Sequence, residues 1–174
     1  MNPPGVDMAI DGTLDKGADG ETVVHFARVI DRPVAKVWIA LTDPKVLANW
    51  LGAVEIEPRV GGKYVLTFRE SGYVMTGAIT VFEPERVLEH TWLETIEAPE
   101  MPQSLVRWAL TAAQDGCRLV LTHRFPKGVA RKDTLPFLGG WEAFLDALAG
   151  GADGTFMAYA PNAPYMARYR AKYP

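Results

Sequence analysis

The sequence has few of the features that cross-link, charge or anchor a protein. Its one cysteine, Cys117, cannot form an internal disulfide or a multi-thiolate metal site, and such low cysteine use is typical of a reducing compartment. The net charge of −3, from 18 Lys and Arg and 21 Asp and Glu, is too small to attract nucleic acid or an anionic membrane. No stretch approaches the ~18 apolar residues of a membrane span, and the N-terminal residues lack the basic and apolar regions of a signal peptide. We therefore expect a cytoplasmic protein with no nucleic-acid partner and no membrane span.

Apolar residues, by contrast, are plentiful. The 174 residues are 48% hydrophobic and 10% aromatic, and a chain of this size can bury roughly 70% of its unfolded surface in one core. This composition excludes disorder throughout the chain. Glycine and proline are frequent in residues 1–20, which we interpret as an N-terminal arm with room for one short strand. Residues 21–150 are predicted to form the folded domain, and residues 151–174 a tyrosine-rich C-terminal tail.

The spacing of apolar residues changes twice along the domain. Residues 21–30 are rich in β-branched side chains and predict a strand, and Pro33 and the pair Asp43-Pro44 each mark the start of a short helix. A period of two then predicts strands at about 53–57, 63–69, 73–82, 87–95, 104–113 and 117–125, separated by turn sequences and, around Pro99 to Pro102, by a longer loop. Trp141, Phe144, Leu145 and Leu148 return to helical spacing and predict one long helix.

These elements predict an α+β fold in which a curved antiparallel sheet of six to seven strands wraps around the long C-terminal helix, with two short helices after the first strand. One helix covers only part of the concave face of such a sheet. The remaining inward side chains therefore either fill the space or line a cavity.

Two of the three histidines are predicted to lie on the inward face. Because alternate residues of a strand share a face, His90 belongs with Trp92, and His123 belongs with Leu121 and Phe125. A buried imidazole without a partner costs about 1–3 kcal/mol, so each ring should meet a polar group or a water. Each is either a structural histidine with its hydrogen bonds satisfied, or a group that contacts a ligand or transfers protons.

Two further predictions concern the acidic residues of the long helix and the tyrosines of the C-terminal tail. Glu142 and Asp146, on the side of the long helix away from its apolar residues, are predicted to face water. Tyr165, Tyr169 and Tyr173 recur at helical spacing in the tail, where they pack either on their own domain or on a neighbour. We favour a homodimer contact through this tail, because exposed tyrosine stripes suit interfaces.

Recognised catalytic and cofactor motifs are missing. The sequence has no Gly-x-Ser-x-Gly elbow for a nucleophile, and Gly61-Gly62 lacks the lysine and threonine that follow the glycines of a phosphate-binding loop. His90 and His123 supply two of the three or four ligands that a metal needs, and no others stand at a recognised spacing. We therefore predict no metal and no cofactor, and the sequence assigns no catalytic residue.

Several segments resemble a known superfamily. Pro33 to Pro44, followed by Leu47 and Trp50, resembles the opening of the START-like superfamily, also called SRPBCC or helix-grip. Further segments resemble its heat-shock protein 90 ATPase activator homologue-like branch in matching order: Gly61-Gly62-Lys63-Tyr64, Gly77 to Trp92, Arg118 to His123, and Gly140-Trp141. The resemblance spans about residues 21–150 and covers neither the arm nor the tail.

The resemblance implies a helix-grip fold with a cavity between sheet and helix, which in relatives binds lipids, sterols, polyketides or other apolar molecules. His90 and the bulky Trp108 are expected to narrow this cavity and make it more polar. The candidate ligand-binding residues are Phe68, Tyr73, Met75, Leu88, His90, Trp92, Trp108, Leu121, His123, Phe125, Trp141, Phe144 and Leu145.

Three functions are consistent with the sequence. The first is non-catalytic binding of a small apolar or aromatic molecule in this cavity. The second is a cavity enzyme of the polyketide cyclase or dehydratase type, in which His90 or His123 is the general acid/base and Tyr73 orients a carbonyl. The third, which the branch name implies, is an interaction module that stimulates a chaperone ATPase.

Overall fold

The computed structural model describes residues 12–68, 71–94, 101–150 and 163–174. In chain order the elements are β1 (Thr13–Lys16), β2 (Thr22–Ile30), α1 (Val34–Thr42), α2 (Pro44–Trp50), β3 (Ala53–Ile56), β4 (Lys63–Thr67), β5 (Val74–Glu83), β6 (Val87–Glu94), β7 (Ser104–Ala113), β8 (Gly116–Phe125), α3 (Arg131–Gly150) and α4 (Ala163–Lys172). Much of the predicted arm, part of the loop that contains Pro99 and half of the predicted tail lie outside the described residues.

The strands form one antiparallel sheet of eight strands, in the order β1-β2-β8-β7-β6-β5-β4-β3. The prediction of six to seven strands is therefore one short. The additional strand is β1 in the arm, where Leu14 pairs with Val24 of β2. β1 has four residues and a single apolar side chain, which is too few for an alternating pattern to be recognised in the sequence. Its pairing with β2, and not a pattern of its own, identifies it as a strand.

Two short helices follow β2, as the proline positions predict. Pro33 directly precedes α1, and Pro44 occupies the first turn of α2. The Asp43 side chain accepts a hydrogen bond from the Lys45 backbone N–H at 2.8 Å, which satisfies one of the free donors at the start of α2. Helix α1 packs on β7 and β8, and α2 packs on β3.

The long helix α3 lies against the inner face of the sheet. Leu138, Trp141 and Leu145 on its inward side are buried. The Trp141 ring meets Trp92 of β6 and Trp108 of β7, each with 5.3 Å between ring centroids. The curved sheet and the helix together confirm the α+β helix-grip fold.

The prediction that Glu142 faces water is wrong. Glu142 is only 5% exposed, because α4 packs against α3 over this carboxylate. Arg28 on the inner face of β2 places its Nη2 3.7 Å from Glu142 Oε1 and its Nη1 2.8 Å from Asp146 Oδ1. Arg168 of α4 also donates to Glu142. Two cations thus balance two carboxylates, which is how proteins offset the cost of burying charge.

The tyrosines of α4 connect the tail to the rest of the same chain. The Tyr169 hydroxyl accepts a hydrogen bond from Gly12 N at 2.9 Å, and the Tyr173 hydroxyl accepts one from Leu14 N at 3.0 Å. The Tyr165 hydroxyl donates to Asp146 Oδ2 at 2.8 Å. We call these three side chains the tyrosine clasp. Because they face their own domain, they give the predicted homodimer no support, and a dimer stays a prediction.

Candidate functional site

The inner face of the sheet and α3 share a surface built mainly from aromatic rings. We call it the aromatic cluster, and its members are Phe68, Trp92, Trp108, His123, Phe125, Phe137, Trp141 and Phe144. Neighbouring rings have centroids 4.1 to 6.2 Å apart in edge-on, tilted or stacked pairs. Each such pair contributes about 0.5–1.5 kcal/mol beyond the burial of its area. The cluster therefore holds the inner face of the sheet and α3 together through ring contacts.

The aromatic cluster reaches the surface at one end. Phe68, just after β4, and Phe144 of α3 are half-buried, and their ring centroids are 5.9 Å apart. Phe68 also meets Trp92 at 6.0 Å, and Phe144 meets Trp141 at 6.2 Å. Partly exposed rings thus lead directly to fully buried ones. The rings therefore form a continuous series from the surface into the core.

His123 is held in a chain of hydrogen bonds inside the cluster. Trp141 Nε1 lies 3.1 Å from His123 Nδ1, and His123 Nε2 lies 2.7 Å from Ser104 Oγ. An indole N–H can only donate, so Nδ1 is the acceptor and the proton of the neutral ring is on Nε2. Nε2 therefore donates to Ser104, whose hydroxyl donates to the Trp92 carbonyl at 3.3 Å. Both ring nitrogens have protein partners, as expected of a structural histidine.

His90 differs from His123, because its ring stacks on another ring and is not part of a chain of hydrogen bonds. Its ring lies parallel to that of Tyr64, with 4.0 Å between centroids and 10° between planes. Tyr64 stands opposite Gly77 in the neighbouring strand β5, and its ring reaches past β5 to His90 of β6. His90 Nδ1 is 3.0 Å from the Thr91 carbonyl, so Nδ1 carries the proton and Nε2 presents a lone pair.

Burial keeps both histidines neutral at physiological pH. It lowers the pKa of His90 from 6.5 to about 4, against a smaller opposite effect of the Thr91 carbonyl and Glu89. It also lowers the pKa of His123 well below 6.5, and nearby His90 lowers it further. The candidate site therefore presents no cation from its histidines.

Most of the predicted ligand-binding residues lie together. Met75, Leu88, His90, Trp92, Trp108, Leu121, His123, Phe125, Trp141 and Leu145 are buried, and Phe68 and Phe144 are half-buried at the open end. Tyr73 is the exception, with 51% of its surface exposed. It precedes β5, so the alternation that buries Met75 does not extend back to it. A role for Tyr73 in orienting a buried carbonyl does not fit this position.

Three residues of the site escaped the sequence analysis: Tyr64, Ser104 and Phe137. Tyr64 shares a strand face with Leu66 and Phe68, so the same alternation that selected Phe68 would have found it. Ser104 shares a face with Trp108 through the same rule, but a serine at the start of a strand carries no apolar signal. Phe137 lies one helical turn before Trp141, so the spacing that joins Trp141 to Leu145 would also have found it.

Other chemistry is limited in the residues that the structure describes. Cys117 is buried, and burial raises the pKa of its thiol, which disfavours a nucleophilic thiolate. Within the described ranges no group of three or more His, Cys, Asp and Glu side chains is placed to hold a metal ion. No described helix combines the length and apolar character needed to cross a membrane.

Solved structures share this fold. Protein MLL2253 from Mesorhizobium loti is 26% identical, with a TM-score of 0.69 over 78% of this chain and 99% of that one. CalU16 from Micromonospora echinospora is 25% identical, with a TM-score of 0.67 over 93% of this chain and 91% of that one. DynU16, a protein of the dynemicin biosynthetic locus, shares the fold at 24% identity and a TM-score of 0.69, over 77% of this chain and 48% of that one.

A family model gives the most specific relationship. No curated protein matches the sequence at a significant level. The model for activator of Hsp90 ATPase homolog 1-like protein, however, matches residues 31–151, which include both short helices, six of the eight strands and α3. The chain therefore belongs to the activator of Hsp90 ATPase homolog 1-like family, as the motifs from Pro33 to Trp141 indicate.

Proposed function

We propose that this protein binds a small apolar or aromatic molecule between the sheet and α3. The observation that carries the proposal is the continuity of the aromatic cluster from half-buried Phe68 and Phe144 to buried Trp92 and Trp141. Binding sites for small molecules are typically concave and lined by apolar and aromatic side chains with a few polar groups. Here the polar groups are neutral histidines, a serine and indole N–H groups.

The ligand is expected to be uncharged. His90 and His123 are neutral, and Arg28, on the same face of the sheet, is already matched by Glu142 and Asp146. An anionic group in this space would lose its hydration without gaining a free cation, and a cationic group would find no free carboxylate among the described residues of the cluster. Membership of the family and the helix-grip fold agree with a cavity-binding role.

Binding can be tested with 9-fluorenone, a flat aromatic ketone, by titration against tryptophan fluorescence and by native mass spectrometry. We expect one molecule to bind per chain. Phe144→Ala removes a ring at the open end and should weaken binding by about tenfold, the equivalent of about 1.4 kcal/mol of lost apolar contact. Val60→Ala, at a residue that is 62% exposed and outside the cluster, is the matched control and should bind as the wild type does.

The outcome that contradicts the proposal is equally direct. If fluorenone and a wider set of neutral aromatic and lipid molecules neither bind nor raise the unfolding temperature, the inner space is a filled core. The catalytic alternative loses His123 as its acid/base, because both ring nitrogens are engaged by Trp141 and Ser104, and it depends on His90, whose Nε2 presents a lone pair. The chaperone alternative is tested by adding the protein to an Hsp90 ATPase assay, where we expect no stimulation.

A further inference from the structure

Trp108 has a buried polar atom that the protein does not satisfy. The residue is 1% exposed, and its ring lies between Trp50 of α2 and Trp141 of α3, with centroids 6.1 and 5.3 Å away. Among residues 12–68, 71–94, 101–150 and 163–174, no group accepts a hydrogen bond from its indole Nε1–H. Buried donors in folded proteins are almost always paired, so this one calls for an explanation.

Three other buried tryptophans each have an acceptor within the protein. Trp50 Nε1 donates to the Ala40 carbonyl at 2.9 Å. Trp92 Nε1 donates to Glu94 Oε1 at 3.1 Å, and Trp141 Nε1 donates to His123 Nδ1 at 3.1 Å. Indole N–H groups at buried positions generally find such partners. Trp108 differs from three tryptophans in the same core.

The surroundings of Trp108 explain why no side chain serves. It stands opposite Leu88 of β6 and Leu121 of β8 in the sheet, and neither has a polar atom in its side chain. The flanking indoles of Trp50 and Trp141 lie nearly perpendicular to it, at 88° and 85°, and an indole nitrogen can only donate. A contact from N–H to a ring face is a weak substitute for a hydrogen bond. The described residues therefore leave this N–H free to donate to a molecule that binds beside it.

We propose that the Trp108 indole N–H donates a hydrogen bond to a neutral oxygen of the bound molecule, and that the ligand is a planar aromatic compound with a carbonyl or quinone oxygen. The inference rests on the proposed binding function and adds a polar anchor to it. The aromatic rings around Trp108 favour an apolar, aromatic body, and the N–H selects an acceptor on it. A carboxylate is disfavoured, because no free cation among the described residues of the cluster would balance it.

The test compares two ligands of the same shape. 9-Fluorenone and fluorene differ in one position, which is a carbonyl in the first and a methylene in the second. The protein is labelled with ¹⁵N at the indole nitrogens of its five tryptophans, and each ligand is titrated while the N–H resonances are recorded. Trp108→Phe identifies the resonance of interest by its loss. If that variant does not fold, residue-specific assignment of the wild type serves instead.

We expect fluorenone to bind about tenfold more tightly than fluorene, because fluorene leaves the buried N–H without an acceptor. The Trp108 proton should move downfield with fluorenone and not with fluorene, while those of Trp50 and Trp141 keep their internal partners. Trp108→Phe should make the two affinities equal, whereas Trp38→Phe, in α1 outside the aromatic cluster, should preserve the ratio.

Two results would overturn the inference separately. If fluorenone and fluorene bind the wild type with equal affinity and the Trp108 resonance does not move selectively, the protein binds a ligand but Trp108 does not donate a hydrogen bond to it. Failure of both ligands, and of a wider neutral set, to bind would remove the proposed function and the anchor with it.

Discussion

Acidification should destabilise this protein through its two buried histidines. In the unfolded chain a histidine takes up a proton near pH 6.5, whereas burial lowers the pKa of His90 in the folded protein to about 4. Between these values the unfolded state binds more protons than the folded state, so stability falls as the pH falls. The loss of stability begins as the pH falls below the pKa of the histidine in the unfolded chain, and it levels off below the pKa of the histidine in the folded protein. His123, whose pKa is also lowered by burial, acts in the same direction.

The size of the effect follows from the shift at His90. Each unit of pKa difference corresponds to about 1.4 kcal/mol. Lowering the pKa of His90 from 6.5 to about 4 therefore reduces the unfolding free energy by about 3 kcal/mol once the pH is below both values. In the middle of this range the unfolding free energy falls by about 1 kcal/mol per pH unit. That is a substantial part of the ~5–15 kcal/mol by which domains are stable.

Urea unfolding followed by circular dichroism, from about pH 7 to about pH 4, measures this dependence. His90→Phe keeps a ring to stack on Tyr64 and removes the titrating group, so its stability should fall less with acid than that of the wild type. His25→Asn, on the opposite face of β2, is the matched control and should follow the wild type. If the wild type and His90→Phe lose stability in parallel, His90 is not a buried neutral imidazole and the reasoning fails.

Four further variants test the fold by urea unfolding. Gly140→Ala should stabilise the protein by about 0.5–1 kcal/mol, because Gly140 lies within α3 and a Cβ there meets open space. Gly77→Ala should destabilise it by about 1–3 kcal/mol, since its Cβ would lie 2.0 Å from the Thr91 carbonyl oxygen. Trp141→Ala should cost about 3–5 kcal/mol through loss of a buried ring. Tyr169→Phe should cost about 1 kcal/mol, because it removes the oxygen that accepts from Gly12 N.

Each of these variants has a result that would contradict it. The two glycine substitutions form a pair with opposite signs, so a loss at Gly140 or a neutral effect at Gly77 refutes the local geometry. A cost below about 1 kcal/mol for Trp141→Ala would show that this ring is not in the core. For Tyr169→Phe, a stability equal to that of the wild type would mean that the clasp does not hold the arm in solution.

The order of elements and the inward face could be predicted because both follow from short-range patterns. Alternation along β6 to β8 places Trp92, Trp108 and His123 on one side, and the structure confirms it. Helix starts at Pro33 and Pro44 depend on local proline geometry and are likewise predictable. Such patterns need only the residues next to them in sequence.

What the sequence could not reveal depends on contacts between distant segments. The sequence around Glu142 is typical of an exposed position on a helix. In the structure, however, Arg28 of β2 and Arg168 of α4 lie against Glu142 and bury it. The two hydrogen-bond partners of His123 also come from separate elements, Ser104 from β7 and Trp141 from α3. Whether a buried group finds a hydrogen-bond partner depends on the packed structure, and the periodicity of apolar residues in the sequence does not indicate it.

The tyrosine clasp has a practical consequence for where this chain can be cut. A fragment limited to residues 31–151, the span of the family match, would lack β2, and β8 would become an exposed edge with unpaired backbone groups. Ending the chain before α4 would leave Glu142 with Arg28 alone and the arm without its acceptors at Tyr169 and Tyr173. Limited proteolysis should therefore yield a stable core that retains both β1 and α4, and fragments for crystallisation or ligand screening should begin before Gly12 and end after Tyr173.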